Sequence, residues 1–326
     1  MEDGRPLVAL VDAVDRDPPD LSAVEELATV VRVRGVDDLA PHLARVDVIF
    51  AWNFERPRLR EVIPRAPRLR WIQSISAGVE DLAFPELGTH GVVLTNAAGI
   101  YDPGLAESVL GFLLAFSARI LEDARLPAGD WPSEKIALVR GTTALIVGAG
   151  SIGTETGRLL RSVVLRVRAV ARTARPPDDV FESIVGPDDL DAELARADHV
   201  VNVLPITPAT RRMFGAPQFA GMKPTAVFVN IGRGATVDEP ALIHALRGGV
   251  IAGAALDVFE EEPLAAENPL WRMSNVLVSP HRAGDHEGWE SDVVALFVDN
   301  LRRFAAGEPL RNVVDVELGY APGARS

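Results

Sequence analysis

Three groups with complementary chemistry stand just after successive apolar runs in the C-terminal half of this sequence. Arg233 lies in "NIGRG", the acidic run Glu260–Glu262 in "LDVFEEEPL", and His281 in "SPHRAG". An arginine offers a planar fork that binds a carboxylate in two places and polarises a neighbouring carbonyl. An imidazolium gives up a proton near neutral pH, and a carboxylate beside it stabilises the charged form and fixes the ring. Each residue alone has a plainer reading, as a packed or solvated histidine or as a solvated acidic face. Three such groups at successive strand ends point instead to a site that grips an anion and moves a proton.

A second constellation lies upstream. "TALIVGAGSIGTETGRLL" sets an apolar strand before Gly148, Gly150 and Gly153 and a helix after them, the context that gives a G-x-G-x-x-G its meaning. Gly148 permits the tight turn, Gly150 admits a pyrophosphate close to the backbone, and Gly153 lets helix and strand pack closely. The phosphates then rest on the helix N-terminus, at Ser151 and Ile152, where free N–H groups and the helix dipole favour anions. The competing reading is a glycine-rich turn with packing roles only. In open α/β sheets ligands lie beyond the carboxyl ends of the strands. That rule adds Leu204 and Pro205 after the third strand of this half, and Ile231 after the fourth, to the expected cofactor contacts.

The second strand of this half runs into "VRAVARTAR". Arg172 lies 19 positions past Gly153, about where an acid that bonds the adenosine ribose is expected. An acid there would repel a 2'-phosphate; Arg172, Thr173 and Arg175 supply two charges and a hydroxyl that suit one. NADP is therefore the expected cofactor, with NAD possible. The alternative is two solvated arginines in a loop leading to "PPDD".

These residues need a scaffold, and the patterning describes one. "PLVALVD" (6–12), "VDVIFAW" (46–52), "LRWIQSI" (69–75) and "GVVLTN" (91–96) read as buried strands, with "LSAVEELATV" and "VDDLAPHLARV" as helix or loop between the first two. A long apolar helix is expected over about 104–122, then a polar crossing at "DARLPAGDWPSEK". A second series follows, with strands at 143–148, 166–171, 199–204, 225–230, 251–258 and 275–280 and helices near 151–162, 188–196, 239–248 and 286–306. The alternation predicts parallel α/β layering. The last helix and "RNVVDVE" come after the second series and are expected to pack back on the first domain.

Composition narrows the class. The chain has 326 residues, 48% hydrophobic and 24% charged, which suits two globular domains. A net charge of -13 argues against nucleic acid or an anionic membrane as partner of the surface as a whole. The absence of cysteine excludes disulfides, thiol catalysis and cysteine-ligated metal sites, and no metal is expected. No signal peptide or membrane-length apolar stretch is visible, so a soluble cytoplasmic protein is expected.

In order along the chain, "SISAGVEDL", "LTNAAGIYDPGLAESVLGFLL", "GAGSIG", "LPITPAT", "NIGRGATVDEPALIHAL", "IAGAALDVFEEEPL" and "VSPHRAG" resemble the D-isomer-specific 2-hydroxyacid dehydrogenase family, which includes glyoxylate/hydroxypyruvate reductases. The resemblance covers most of the chain. It implies that Arg233 grips the substrate carboxylate and carbonyl, that Glu262 and His281 form an acid-base pair, and that Asp257 bonds the nicotinamide carboxamide. It also implies that backbone amides of Ala77 and Gly78 hold the substrate carboxylate. Two departures stand out. "LAES" places Ser108 where many members carry histidine, and Arg172 replaces the usual ribose-binding acid.

The expected fold is α/β, two doubly wound parallel-sheet domains. A Rossmann-type cofactor domain (104–284) is inserted in a flavodoxin-like substrate domain (1–103 plus 285–326). The expected activity is hydride transfer between NADPH, or NADH, and a 2-oxo acid to give a D-2-hydroxy acid, in a cleft between the domains. Trp52, Asn53, Phe54 and Tyr101 line a pocket for the substrate tail, or are core or surface residues. Phosphite- or formate-type oxidation on the same scaffold, and a non-enzymatic dinucleotide sensor, are the alternatives. The apolar helix that includes "ESVLGFLLAFSARIL" predicts a homodimer, since in the family this region belongs to the dimer interface.

Overall fold

The computed structural model describes residues 5–12, 20–53, 59–80, 82–163 and 166–321. The chain divides into two units, one of Met1–Tyr101 with Glu287–Ser326 and one of Asp102–His286.

The first unit is built on five parallel strands: β1 (Leu7–Asp12), β2 (Thr29–Val33), β3 (Val48–Asn53), β4 (Trp71–Ser74) and β5 (Val93–Thr95). Their order is β2-β1-β3-β4-β5, the flavodoxin-like order. Side chains alternate across the sheet, as a period of two requires. Ala9, Val11, Ile49 and Ala51 enter one core, while Val8, Leu10, Phe50 and Trp52 enter the other. The C-terminal helix Trp289–Ala306 covers that second face. Phe297 stacks on Phe50 with ring centroids 4.1 Å apart, and Trp289 stacks on Trp52 at 5.9 Å.

Trp52 is thus core, and Tyr101 joins the same aromatic cluster with its hydroxyl donating to the Ile75 carbonyl at 2.7 Å. Asn53 ends β3; Phe54 lies outside the described residues. The stretch expected to be helix or loop before residue 36 contains β2, whose residues Thr29–Arg32 are exposed or half-exposed. An edge strand with two partly wet faces carries no buried apolar run to announce it.

The second unit holds seven parallel strands: β6 (Thr143–Val147), β7 (Arg166–Val170), β8 (Ser183–Val185), β9 (His199–Asn202), β10 (Val227–Asn230), β11 (Gly253–Leu256) and β12 (Val276–Val278). The order β12-β11-β10-β9-β6-β7-β8 reverses at β6, as in the doubly wound dinucleotide-binding fold. Every residue of β6, β9, β10 and β11 is buried, the condition of a parallel sheet covered on both faces. β8, an edge strand of three residues, left no sequence signal.

The main helices are α1 (Asp102–Ser117), α2 (Ser151–Arg161) and α3 (Glu239–Arg247) here, and α4 (Trp289–Ala306) in the first unit. α1 stops short of the expected 122. The Ala137 N–H takes the Ser117 carbonyl at 2.8 Å, and Arg119 turns left-handed at φ 58° before a short helix resumes at Ile120. Among the described residues no helix is long and apolar enough to cross a membrane.

Candidate active site

The glycine turn after β6 has the geometry of a phosphate cradle. Gly148 sits at φ +113°, a conformation that side chains disfavour. A Cβ on Gly153 would lie 1.9 Å from the Gly148 carbonyl oxygen, so helix and turn approach too closely for any other residue. Around Gly150, by contrast, a Cβ would meet nothing within 4 Å. Gly150 is the N-cap of α2 and supplies no capping side chain. The first N–H groups of the helix, at Ser151, Ile152 and Gly153, therefore face a position where an anion satisfies them. The Ser151 hydroxyl itself turns to the buried carboxylate of Asp102. These residues fit a dinucleotide pyrophosphate.

The arginine-rich loop adjoins this cradle. Arg175 points its Nη2 at the Ala149 carbonyl, 3.4 Å away, and its own N–H bonds the Ile184 carbonyl at 3.2 Å. Arg172, Thr173 and Arg175 are all exposed.

At the far side of the sheet the β11 and β12 ends bring Glu262 and His281 together. His281 Nδ1 lies 2.6 Å from Glu262 Oε2. A carboxylate only accepts, so Nδ1 carries the hydrogen. Glu262 Oε1 meanwhile accepts from the Phe259 N–H at 2.9 Å. The Glu262 carboxyl sits below its ordinary range: burial works to raise it, but the bonds from His281 and Phe259 and the nearby positive charges outweigh burial. The His281 imidazole is shifted upward, first by its bond to Glu262, against burial and the Arg233 charge. Both shifts favour the charged pair, and both register Arg233 as a neighbour. Arg233 itself donates from Nη1 to the Gly232 carbonyl at 2.8 Å.

The backbone of His281 is left-handed, at φ 51°, a cost that surrounding contacts must hold in place. Asp257 does most of this. Its carbonyl accepts from the His281 N–H at 2.9 Å. Its Oδ1 accepts from the Ser279 hydroxyl at 2.5 Å, the Arg282 N–H at 3.0 Å and the Ala283 N–H at 3.1 Å. Asp257 is buried beneath the turn, a role that strand-end logic alone did not reveal. α1 braces the same turn, with the Ser108 hydroxyl donating to the Ala283 carbonyl at 2.8 Å.

The remaining expected contacts are placed as follows. Leu204 is half-buried, Pro205 exposed and Ile231 buried, at the ends of β9 and β10. Ala77 and Gly78 belong to the first unit, in the turn after β4, where Asn96 Nδ2 donates to the Ala77 carbonyl at 2.6 Å. Among the described residues no backbone acceptor takes the N–H of Ala77 or Gly78. Residues that sequence reasoning missed are Asn202, Asn230 and Thr236, buried and bonded to one another beneath Arg233. Their one signal was a polar residue ending each of two apolar strands.

Comparison with known proteins bears on the same residues. Positions 110–283 match the family model described as D-isomer specific 2-hydroxyacid dehydrogenase, NAD binding domain. A glyoxylate/hydroxypyruvate reductase B of Salmonella newport is 36% identical over 268 residues, 78% of this chain and 81% of that protein. A D-isomer specific 2-hydroxyacid dehydrogenase from Xanthobacter autotrophicus, solved with NADPH and MES, is 30% identical. It superposes with a TM-score of 0.84 over 97% of this chain and 100% of its own. An NADPH-dependent glyoxylate/hydroxypyruvate reductase from Sinorhizobium meliloti, solved with NADP and sulfate, is 28% identical with a TM-score of 0.81, covering 97% and 100% of the two chains. The family model spans more than half of the chain, and it contains the glycine turn, the arginine loop, Arg233, Glu262 and His281. The chain belongs to the D-isomer specific 2-hydroxyacid dehydrogenase family.

Proposed function

We propose that the protein reduces a 2-oxo acid to a D-2-hydroxy acid with NADPH preferred over NADH, the second unit holding the cofactor. The observation that carries this reading is the His281–Glu262 pair at 2.6 Å with Arg233 as its cationic neighbour. When bound, the reduced nicotinamide supplies the hydride. Arg233 grips the substrate carboxylate and polarises the carbonyl beside it. His281, its Nδ1 committed to Glu262, delivers a proton from Nε2 to the carbonyl oxygen as the new C–H bond forms at carbon. The resulting imidazole regains its proton from solvent, and Glu262 holds the ring in orientation throughout. The acid at position 262 disfavours a formate-type reaction, since formate enzymes of this superfamily carry glutamine there.

NADPH preference rests on Arg172, Thr173 and Arg175 beside the glycine turn and on relatives solved with NADP or NADPH. A homodimer belongs to the same proposal. α1 and the segment after it expose Leu114, Ile120, Ile136 and Leu138, and Trp131 is 95% exposed, an apolar surface that a second copy would cover. A cytoplasmic location, where reduced nicotinamide cofactors are regenerated, fits the reading.

The test is a panel of glyoxylate, hydroxypyruvate, pyruvate and phenylpyruvate, each assayed with NADH and NADPH. Turnover of at least one acid is expected, faster with NADPH. Inactivity with all four would point to a dinucleotide-sensing protein instead.

A further inference from the structure

The ends of β9 and β10 carry a closed set of buried polar side chains whose bonds run between the two candidate binding loops. Asn202 and Asn230 are cross-strand partners in the parallel ladder. Asn202 and Thr236 are fully buried, and Asn230 is nearly so. Asn202 Nδ2 uses both hydrogens, on Asn230 Oδ1 at 2.9 Å and on Thr236 Oγ1 at 2.7 Å. The Thr236 hydroxyl then donates to the Arg233 carbonyl at 2.6 Å, and Asn230 Nδ2 approaches the same carbonyl at 3.4 Å. Asn230 Oδ1 also accepts from the Gly232 N–H at 3.1 Å. On the other side, Asn202 Oδ1 accepts from the Leu204 N–H at 3.2 Å.

The polarity of this set is determined. Turning the Asn202 amide over would put its oxygen against Asn230 Oδ1 and its NH2 against the Leu204 N–H, two repulsions at once. Buried side chains bonded in this way are rigid, because breaking a bond leaves an unsatisfied group in a dry interior. The loops are also in steric contact: a Cβ on Gly232 would lie 2.7 Å from the Leu204 carbonyl oxygen. The Arg233 turn and the Leu204 loop thus pack directly on each other, and each is held by its own bond to the buried set.

We propose that Asn202, Asn230 and Thr236 are positioning residues that set the Arg233 turn and the Leu204 loop in one register, tying substrate grip to cofactor contact. This rests on the reading of Arg233 as the carboxylate grip and of the Leu204 loop as a cofactor contact. Thr236 bonds the Arg233 carbonyl directly and touches the Leu204 loop only through Asn202, whose own bond to the Leu204 N–H survives loss of the threonine hydroxyl, so their variants separate.

The experiment compares full-length Thr236→Val, Thr236→Ser, Asn202→Asp and Arg233→Gln with the parent. KM and kcat are measured for glyoxylate with NADPH, and the NADPH Kd by fluorescence titration without glyoxylate; thermal unfolding checks that each variant is folded. Thr236→Val should raise the glyoxylate KM about tenfold or more, the scale of a displaced binding group, while the NADPH Kd stays within about twofold. Thr236→Ser, which keeps the hydroxyl, should recover most of that loss. Asn202→Asp should raise both the glyoxylate KM and the NADPH Kd. If Thr236→Val does not fold, Thr236→Ala carries the same arm. The proposal is overturned if the Val and Ser variants behave alike, or if Thr236→Val weakens NADPH as much as glyoxylate. Arg233→Gln separates the two failures. A large rise in its KM beside an unmoved Thr236→Val overturns the positioning role alone; an unmoved KM overturns the reading of Arg233 and the positioning role with it.

Discussion

His281 Nδ1 and Glu262 Oε2 are 2.6 Å apart, and the bond holds the imidazole protonated to higher pH than an ordinary histidine. Reduction needs that proton, so the rate should fall as pH rises through the His281 pKa. Glu262→Gln removes the principal cause of the upward shift. Its alkaline limb for reduction should therefore move to lower pH. A pH profile of kcat/KM superimposable on the parent's would remove Glu262 from the mechanism.

His281→Asn keeps a polar side chain but offers no acid near neutral pH. The expected loss in kcat is about 10²-fold or more, the usual scale for a missing acid-base group. Single-turnover kinetics would check that the loss lies in the chemical step. A near-normal rate would show that another group delivers the proton.

Arg175 reaches the Ala149 carbonyl of the glycine turn, with Arg172 and Thr173 exposed beside it. NADPH should be preferred over NADH by about tenfold or more in kcat/KM, equivalent to at least ~1.4 kcal/mol. Arg172→Asp should shrink or reverse the ratio, because an acid repels a 2'-phosphate and bonds a free ribose. An unmoved ratio would show that these arginines do not read a phosphate.

His199, the first residue of β9, is 7% exposed, and neither ring nitrogen has a hydrogen-bond partner among the described residues. Burial lowers its pKa to about 4, against a partial counter-effect from the Asp198 carboxylate. The folded state thus resists protonation while the unfolded state accepts it from about pH 6.5 downward. Stability is untouched above that pH and is lost progressively as pH falls toward 4, by roughly 3 kcal/mol in total. His199→Phe should flatten the fall of Tm between pH 6.5 and 4.5. Parallel Tm curves for parent and variant would rule this out.

The exposed Trp131 and the exposed apolar residues before and after it in the chain predict a dimer with buried indole. Light scattering at micromolar concentration should give about twice the 35.0 kDa chain mass. Trp131→Glu, placing a charge on that surface, should lower the mass toward a single chain. A parent protein that is monomeric at that concentration would leave the apolar surface without this explanation.

Much of the candidate site was legible because its parts sit where backbone pattern is strongest. Fully buried parallel strands read as apolar runs, so their carboxyl ends could be found, and with them Gly148, Arg233, Glu262 and His281. The edge strands β2 and β8 were not legible, because partial exposure dilutes the apolar signal and three residues are too few to show a period. The stop in α1 was hidden for a related reason: its apolar residues continue past Ser117, while the bond that ends it comes from Ala137.

The order of residues along the chain determined which groups stand at strand ends and what chemistry they offer, since burial periodicity and turn chemistry are local properties. Strand-end pattern located the run Glu260–Glu262 and family resemblance picked Glu262 from it, while the tertiary structure supplied the contact, with the side chain at 262 turned toward a residue 19 positions away. Only the tertiary structure decided that Asp257 holds the His281 turn, that Ser108 bonds Ala283 from a separation of 175 residues, and that Asn202, Asn230 and Thr236 close on one another. Those contacts follow from strand order in the sheet and from α1 packing against it. Neither leaves a local trace, because a hydrogen bond between distant residues depends on where the backbone places both of them and not on the neighbours of either.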